Sequence, residues 1–201
     1  MSTDDSRPEG RAGQGTDGDR RSQLVDAAVD HVVAHGIADL SLRRLGAAIG
    51  VSHRMLIHYF GSKEQLLVEI VRTSERRQRD LLSRLRLEPG LSPADVARLL
   101  WQQLTDPGLA GQERLFFEIY GHALRGRPEA VPILEGLVTD WLEPLVAAEV
   151  VAGADPATAR NRARLGLATV RGLLLDLLAT GDRAGVDAAM EEFLRLYYGS
   201  E

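Results

Sequence analysis

The sequence contains no cysteine, so disulfide scaffolds, thiolate nucleophiles, cysteine-ligated zinc and iron–sulfur clusters are excluded. It also lacks an apolar run of the roughly 18 residues that a membrane-spanning helix needs, since even the segment 172–179 is interrupted by Asp176. The first twenty residues hold almost nothing apolar and therefore lack the hydrophobic segment of a signal peptide. We expect a cytoplasmic protein that has no membrane partner.

The charges of the chain are distributed unevenly. Its 201 residues carry a formal net charge of -5, but the segment 20–63 holds six basic and three acidic residues. That segment is therefore +3, and the rest of the chain is -8. A basic N-terminal segment on an acidic body indicates that one end of the protein meets a polyanion.

Apolar residues recur at helical spacing almost everywhere after residue 20, and no strand-like alternation competes with them. Ser41, Ser52 and Ser62 are each placed to cap the start of a helix, and Gly36 and Gly50 to end one. The sequence therefore predicts an all-α fold.

Proline and glycine divide the second half of the chain into at least five more helices. Residues 92–95 (SPAD) form a helix start, with proline at the first helical position and an acid in the first turn. Residues 155–156 (DP) open a helix that runs to about Thr180, and residues 181–182 (GD) lead into the last one. Pro144 should kink or split its helix, although a loop boundary there is an equal alternative.

Residues 41–63 fit a helix-turn-helix, in which the second helix enters the major groove of DNA. Gly50 supplies the left-handed conformation of the turn, and Ser52 caps the second helix. Leu56 and Phe60 lie four residues apart on that helix and can pack inward. Its other faces are then free for DNA.

Several side chains of this segment can bind DNA. Arg54 can donate two hydrogen bonds to guanine, and His53 and His58 can bond to base edges or phosphates. Lys63 opens the next helix, where free amide groups, the helix dipole and the ammonium group together suit a phosphate. Arg44 can reach a phosphate or remain a solvated helix charge, and both alternatives stay open.

Residues 51–64 (VSHRMLIHYFGSKE), preceded by residues 40–45 (LSLRRL), resemble the signature of the tetracycline-repressor (TetR) family of bacterial regulators. The resemblance covers the chain from about Arg21 to Leu67. It implies a two-fold dimer with an N-terminal DNA-reading head and a C-terminal ligand-binding domain. We expect no cofactor and no metal. By motif position, and with Arg44 added, the DNA-binding candidates are Arg43, Arg44, His53, Arg54, Met55, His58, Tyr59 and Lys63.

Two residues depart from the pattern of this family. Ile57 stands where many members have a tyrosine that touches phosphate, so that anchor is missing. Gly46 stands where alanine is usual and permits closer packing, at a helix cost of about 1 kcal/mol.

These patterns suggest three parts: a disordered tail (1–20), a helix-turn-helix domain (21–66) and a helical domain for effector binding and dimerisation (67–201). The last two helices are strongly apolar. Part of that surface must be buried within the chain, and an outer stripe would self-associate as a four-helix bundle about a two-fold axis. We expect a homodimer formed through these helices.

Aromatic residues concentrate in the central helices. The resemblance implies a small-molecule effector, and an apolar pocket for it would draw on Trp101, Phe117, Tyr120 and Trp141. Tyr120 and His122 are the candidate polar groups. Ordinary core packing is the alternative for each of these residues.

His31 and His35 lie one helical turn apart, a spacing that can hold a metal, but no third ligand is evident.

The sequence also lacks paired carboxylates, a nucleophile elbow and a phosphate-cradling glycine loop, which argues against an enzyme. We therefore expect a ligand-responsive repressor that binds a palindromic operator in double-stranded DNA. The alternative is a helical ligand- or protein-binding module that has lost specific DNA binding, and Ile57 is its best support.

Overall fold

The computed structural model describes residues 17–36 and 40–199. Within these residues the chain forms nine α-helices and two 3₁₀ turns, Pro107–Leu109 and Val131–Leu134, and it contains no strand, as the sequence predicted. The helices are α1 (Asp17–His35), α2 (Leu42–Ala48), α3 (His53–Phe60), α4 (Lys63–Leu85), α5 (Pro93–Leu104), α6 (Ala110–Leu124), α7 (Thr139–Val151), α8 (Pro156–Thr180) and α9 (Arg183–Tyr198).

The predicted tail 1–20 is too long, because α1 begins at Asp17. Asp17 and Asp19 lie in the first turn, where their charges favour a helix start through the helix dipole. The remainder of the predicted tail, residues 1–16, lies outside the described residues.

The three predicted serine caps are confirmed. The hydroxyl oxygens of Ser41, Ser52 and Ser62 accept hydrogen bonds from backbone amides three residues later, at 3.2, 3.1 and 3.1 Å. These bonds satisfy amides that a helix start leaves free. The short helices α2 and α3 and the long helix α4 are thereby fixed in register by local sequence.

The first core joins the N-terminal helices to the body of the molecule. Buried side chains of α1 to α4 pack together with Leu115, Phe116 and Ile119 of α6. The predicted domain boundary between residues 66 and 67 falls inside α4, so the two parts of the chain share this helix. Movement of α4 therefore acts on both parts.

Two further cores hold the body, one around Leu82, Trp141 and Leu167 and one around Trp101 and Met190. The helix that carries Pro144 is neither split nor ended there, since α7 runs from Thr139 to Val151. None of the described helices has the length and hydropathy needed to cross a membrane.

Candidate nucleic-acid interface and central cavity

The turn between α2 and α3 is held by a close approach at Gly46. The amide of Val51 donates to the carbonyl oxygen of Gly46 at 2.8 Å. A Cβ atom built on Gly46 would lie 2.7 Å from the carbonyl oxygen of Val51 and 3.3 Å from the amide nitrogen of His53. The close packing expected at this glycine is therefore present. Gly50, at φ +73°, adopts the left-handed conformation predicted for the turn.

Helix α3 buries one face and presents the other to solvent. Leu56 and Phe60 are 0% and 4% exposed and pack into the first core, as their spacing predicted. His53, Arg54 and His58 are exposed. The three polar candidates on this helix are thus placed where a DNA groove can reach them.

Met55 and Tyr59 occupy the edges of the exposed face of α3. Both are half-buried and pack against the first core. The hydroxyl of Tyr59 is hydrogen-bonded to Asp17 of α1, and this contact is the main cause of the raised pKa of Tyr59. The edge of α3 is therefore tied to the start of α1.

The surface around α3 is basic. The segment 40–63 holds three arginines and one lysine but no aspartate or glutamate. Arg43 and Arg44 are exposed in the first turn of α2, and Lys63 is exposed as the first residue of α4. All eight predicted DNA-binding residues therefore lie on α2, α3 or the start of α4.

Helix α4 runs without interruption from this basic surface to the centre of the body. It is fixed to α1 through the guanidinium of Arg77, which donates to Asp26 at 2.9 Å and to Asp30 at 2.7 Å. On the same helix, Glu75, Gln78 and Leu82 line a cavity. The phosphate-site candidate and the cavity wall are therefore parts of one helix.

The cavity has a volume of about 720 Å³ and lies among α4 to α9. Trp101 and Trp141 line it. Phe117 and Tyr120, also predicted to line it, are instead packed against the first core.

Helical spacing does not separate these residues. Glu113 and Phe116 line the cavity, but Phe117 and Tyr120 follow Glu113 by four and seven residues and so lie on the same side of α6. Tyr120 lies about one turn beyond Phe116, towards the end of that helix. His122, the other predicted polar group, is likewise absent from the cavity lining.

A buried carboxylate, Glu75, lies on the wall formed by α4. Trp141 donates from Nε1 to it at 2.7 Å, and a guanidinium nitrogen of Arg171 lies 3.4 Å from the same oxygen. Burial raises the pKa of Glu75, and the opposing charge of Arg171 is the largest effect that lowers it. This cluster ties α4, α7 and α8 together at the cavity.

A second buried carboxylate, Glu113, reaches the cavity from α6. The side-chain amides of Gln78 and Gln112 donate to it at 2.7 and 3.4 Å. Burial, followed by the nearby charge of Glu75, raises the pKa of Glu113 to about 7. This carboxyl group therefore titrates near neutral pH.

The outer end of the cavity is also polar. Tyr197 and Arg162 approach Glu149 at 3.3 and 3.6 Å, and Arg86 donates to the carbonyl oxygen of Pro144 at 2.7 Å. Burial and the charge of Glu149 raise the pKa of Tyr197. Pro144 thus lines the cavity, and its carbonyl oxygen anchors Arg86.

The sequence analysis did not identify Glu75, Gln78 or Glu113 as site residues. The sequence does contain a pattern that points to them. Each is a polar residue at a position whose helical spacing places it among the apolar, core-facing residues of its helix. Such residues are costly to bury without partners and often mark a functional site.

The rings of His31 and His35 are stacked, with centroids 4.4 Å apart. Among the residues that the structure describes, no group of three or more histidine, aspartate or glutamate side chains could hold a metal ion.

Sequence comparison matches the N-terminal part of the chain. The model of the family described as bacterial regulatory proteins, tetR family, matches residues 24–70. The HTH-type transcriptional regulator BetI of Agrobacterium fabrum is 43% identical over 54 residues, 27% of this chain and 26% of that protein. BetI of Stenotrophomonas maltophilia is 31% identical over 81 residues, 40% of this chain and 41% of that protein. The matched segment spans less than half the length of these curated relatives.

Structure comparison matches almost the whole chain. A transcriptional regulator from Rhodococcus sp. Rha1 has a TM-score of 0.68 at 23% identity, covering 88% of this chain and 95% of that one. The multidrug binding protein EbrR, solved with imidazole, has a TM-score of 0.58 at 28% identity, covering 88% and 94%. The likeness therefore extends to the fold of the cavity-bearing body.

Proposed function

Because the chain belongs to the tetR family of bacterial regulatory proteins, we propose that it is a ligand-responsive transcriptional repressor. It binds a palindromic operator in double-stranded DNA as a homodimer and leaves the operator when a small molecule occupies the central cavity. The sequence relatives are named as transcriptional regulators and not as enzymes.

The observation that carries DNA binding is the exposed face of α3 within a basic surface. Arg54 is exposed and can form two hydrogen bonds with one guanine in the major groove. Lys63 lies at the capped start of α4, where its ammonium group and the free amides suit a backbone phosphate. Base reading and phosphate anchoring are thus assigned to different residues of one surface.

The exposed face of α8 supports dimerisation. Leu165 and Leu175 are 58% and 50% exposed, and Ala168 and Gly172 lie between them at spacings of three and four residues. A Cβ atom on Gly172 would meet nothing within 4 Å, so this side of the helix is open to close approach. A second copy of α8 and α9 can pack there as a four-helix bundle.

The continuity of α4 supports coupling between ligand and DNA. Glu75 and Gln78 contact the cavity on the same helix that begins with Lys63. A ligand shifts the DNA-binding state only if it binds the two conformations of the protein with different affinities. Displacement of α4 changes the position of both reading heads relative to the operator.

A selection from random DNA duplexes tests this function. The dimeric protein should enrich a palindrome with half-sites about one helical turn apart or somewhat more. The variant Lys63→Ala run in parallel should enrich the same bases more weakly, because a phosphate contact carries no base preference. No enrichment by folded, dimeric protein would favour the alternative, a helical ligand- or protein-binding module.

A further inference from the structure

The charged side chains that line the cavity are three carboxylates and three guanidinium groups, and most of them are already paired. Glu75 lies 3.4 Å from Arg171, and Glu149 lies 3.6 Å from Arg162. In each of these pairs, the negative charge of the carboxylate is neutralised by the positive charge of the guanidinium. The remaining charged residues of the lining, outside these two pairs, are Glu113 and Arg86.

Glu113 is 3% exposed, and its hydrogen-bond donors are the neutral amides of Gln78 and Gln112. No ion pair within the described residues includes this carboxylate. The charged groups that act on it are Glu75 from α4, which raises its pKa, and Arg171 from α8, which lowers it. Burial without a counter-ion therefore favours the neutral carboxylic acid of Glu113.

Arg86 is at the other end of the cavity and does not compensate Glu113. It follows Gln78 by eight residues along α4, which is about 12 Å of helix. Its guanidinium is half-buried, donates to the carbonyl oxygen of Pro144 and is acted on by the charge of Glu149. The inner end of the cavity therefore carries one acid that can become an uncompensated negative charge.

The walls near Glu113 are apolar and aromatic. Phe116 follows Glu113 by one turn of α6, and Trp101 and Trp141 are also part of the cavity lining. The Nε1 groups of these two indoles are already bonded, to Asp187 and Glu75 respectively. The guanidinium of Arg171 lies over the Phe116 ring, 5.3 Å from its centroid, so of these three rings the two indoles are the aromatic surfaces left to attract a cation.

We propose that the central cavity binds a lipophilic organic monocation in exchange for a proton, with Glu113 as its counter-ion. On binding, the carboxylic acid of Glu113 releases its proton to solvent, and the carboxylate pairs with the positive centre of the ligand. The apolar part of the ligand packs against Trp101, Trp141 and Phe116. This inference rests on the proposed function, since the cation is the effector of the regulator.

Calorimetric titration with tetraphenylphosphonium and tetraphenylborate tests the charge preference, because the two ions share a shape and differ in the sign of their charge. The phosphonium should bind at least about tenfold more tightly than the borate. Glu113→Gln should weaken phosphonium binding by about tenfold or more, because its amide keeps the size of the side chain but has no charge. Glu118→Gln, an exposed position on the same helix, is the matched control and should bind as the wild type does.

The pH dependence of binding provides a second readout, since neither probe ion titrates. A carboxyl group with a pKa of about 7 is about one-tenth ionised at pH 6 and nine-tenths ionised at pH 8. Phosphonium affinity should therefore rise about tenfold across this range in the wild type and stay level in Glu113→Gln. Near neutral pH, titrations in buffers of different ionisation enthalpy should show release of up to one proton for each cation bound.

The results separate this inference from the proposed function. Tighter binding of the borate, or a Glu113→Gln variant with a wild-type melting temperature and unchanged phosphonium affinity, would overturn the cation site even if the protein selects an operator. Phosphonium binding that depends on Glu113, in a protein that selects no DNA, would support the site and contradict the regulator.

Discussion

The side-chain amide of Gln78 donates to the carboxylate of Glu113 at 2.7 Å, and this bond joins α4 to α6 at the wall of the central cavity. Gln78 lies on the helix that begins with Lys63. A ligand that takes the carboxylate of Glu113 as its partner therefore changes a contact of the helix that carries the phosphate site.

The stability of the protein should depend on the ionisation of Glu113. The pKa of this group is raised from 4.5 to about 7, so between these pH values the unfolded chain binds fewer protons than the native one and stability falls as pH rises. The side chain in Glu113→Gln does not titrate. Its free energy of unfolding should therefore rise, relative to that of the wild type, by up to about 3 kcal/mol between pH 4.5 and pH 7. Urea unfolding at several pH values measures both free energies of unfolding. A difference between variant and wild type that does not change with pH would contradict the raised pKa of Glu113.

Arg54→Ala should relax base preference more than it weakens overall DNA binding. A bidentate contact to guanine is worth about 1–3 kcal/mol of discrimination against other bases. Anisotropy titrations with the selected duplex and with duplexes changed at one guanine measure this preference. If variant and wild type discriminate equally between these duplexes, Arg54 does not contact the guanine.

Lys63→Ala should weaken binding to all DNA sequences alike. Loss of one phosphate contact should reduce the slope of log affinity against log salt concentration by about one. Glu64→Gln is the neighbouring control, since it removes a negative charge from the same helix start and should not reduce the slope. An unchanged affinity and slope in Lys63→Ala would exclude the phosphate role.

Gly46→Ala should disturb the turn of the helix-turn-helix. The new Cβ atom would lie 2.7 Å from the carbonyl oxygen of Val51, and the backbone must move to relieve this clash. We expect a loss of stability of about 1–3 kcal/mol, together with weaker DNA binding. Gly121→Ala is the control within a helix, because its Cβ atom would have a single ordinary contact at 3.7 Å from Arg125. A stable Gly46→Ala protein with normal DNA affinity would contradict the role given to this close approach.

Leu175→Glu should convert the protein to monomers, because it places a charge on the exposed α8 face. Leu87→Glu is the matched control, since Leu87 is 83% exposed in the turn after α4 and away from that face. Sedimentation velocity measures the mass of each species. Dimers of Leu175→Glu at low micromolar concentration would show that the two copies associate elsewhere.

The local parts of the fold could be predicted from the sequence because their causes are local. Ser41, Ser52 and Ser62 bond to amides three residues away, so their capping roles need no knowledge of tertiary packing. The inward packing of Leu56 and Phe60 follows from helical periodicity alone. The positions of the candidate DNA-binding residues on α2, α3 and the start of α4 follow from these elements.

The cavity lining could be predicted only in part, because it depends on how the helices are assembled. Composition and helical spacing cannot distinguish Phe116, which lines the cavity, from Phe117, which packs between cores. Tyr120 lies on the same side of α6, about one turn beyond Phe116, and packs against the first core. The role of Glu113 depends on Gln78, a residue 35 positions earlier, and this pairing becomes visible only when the helices are assembled.

The central claim is that the basic face around α3 binds a specific operator, and a fluorescence anisotropy titration of the selected duplex at several salt concentrations tests it most directly. The account predicts that the wild type binds this duplex at least about a thousandfold more tightly than a scrambled duplex, with an affinity that falls steeply as salt rises. Equal and weak binding of the two duplexes by folded, dimeric protein would contradict it.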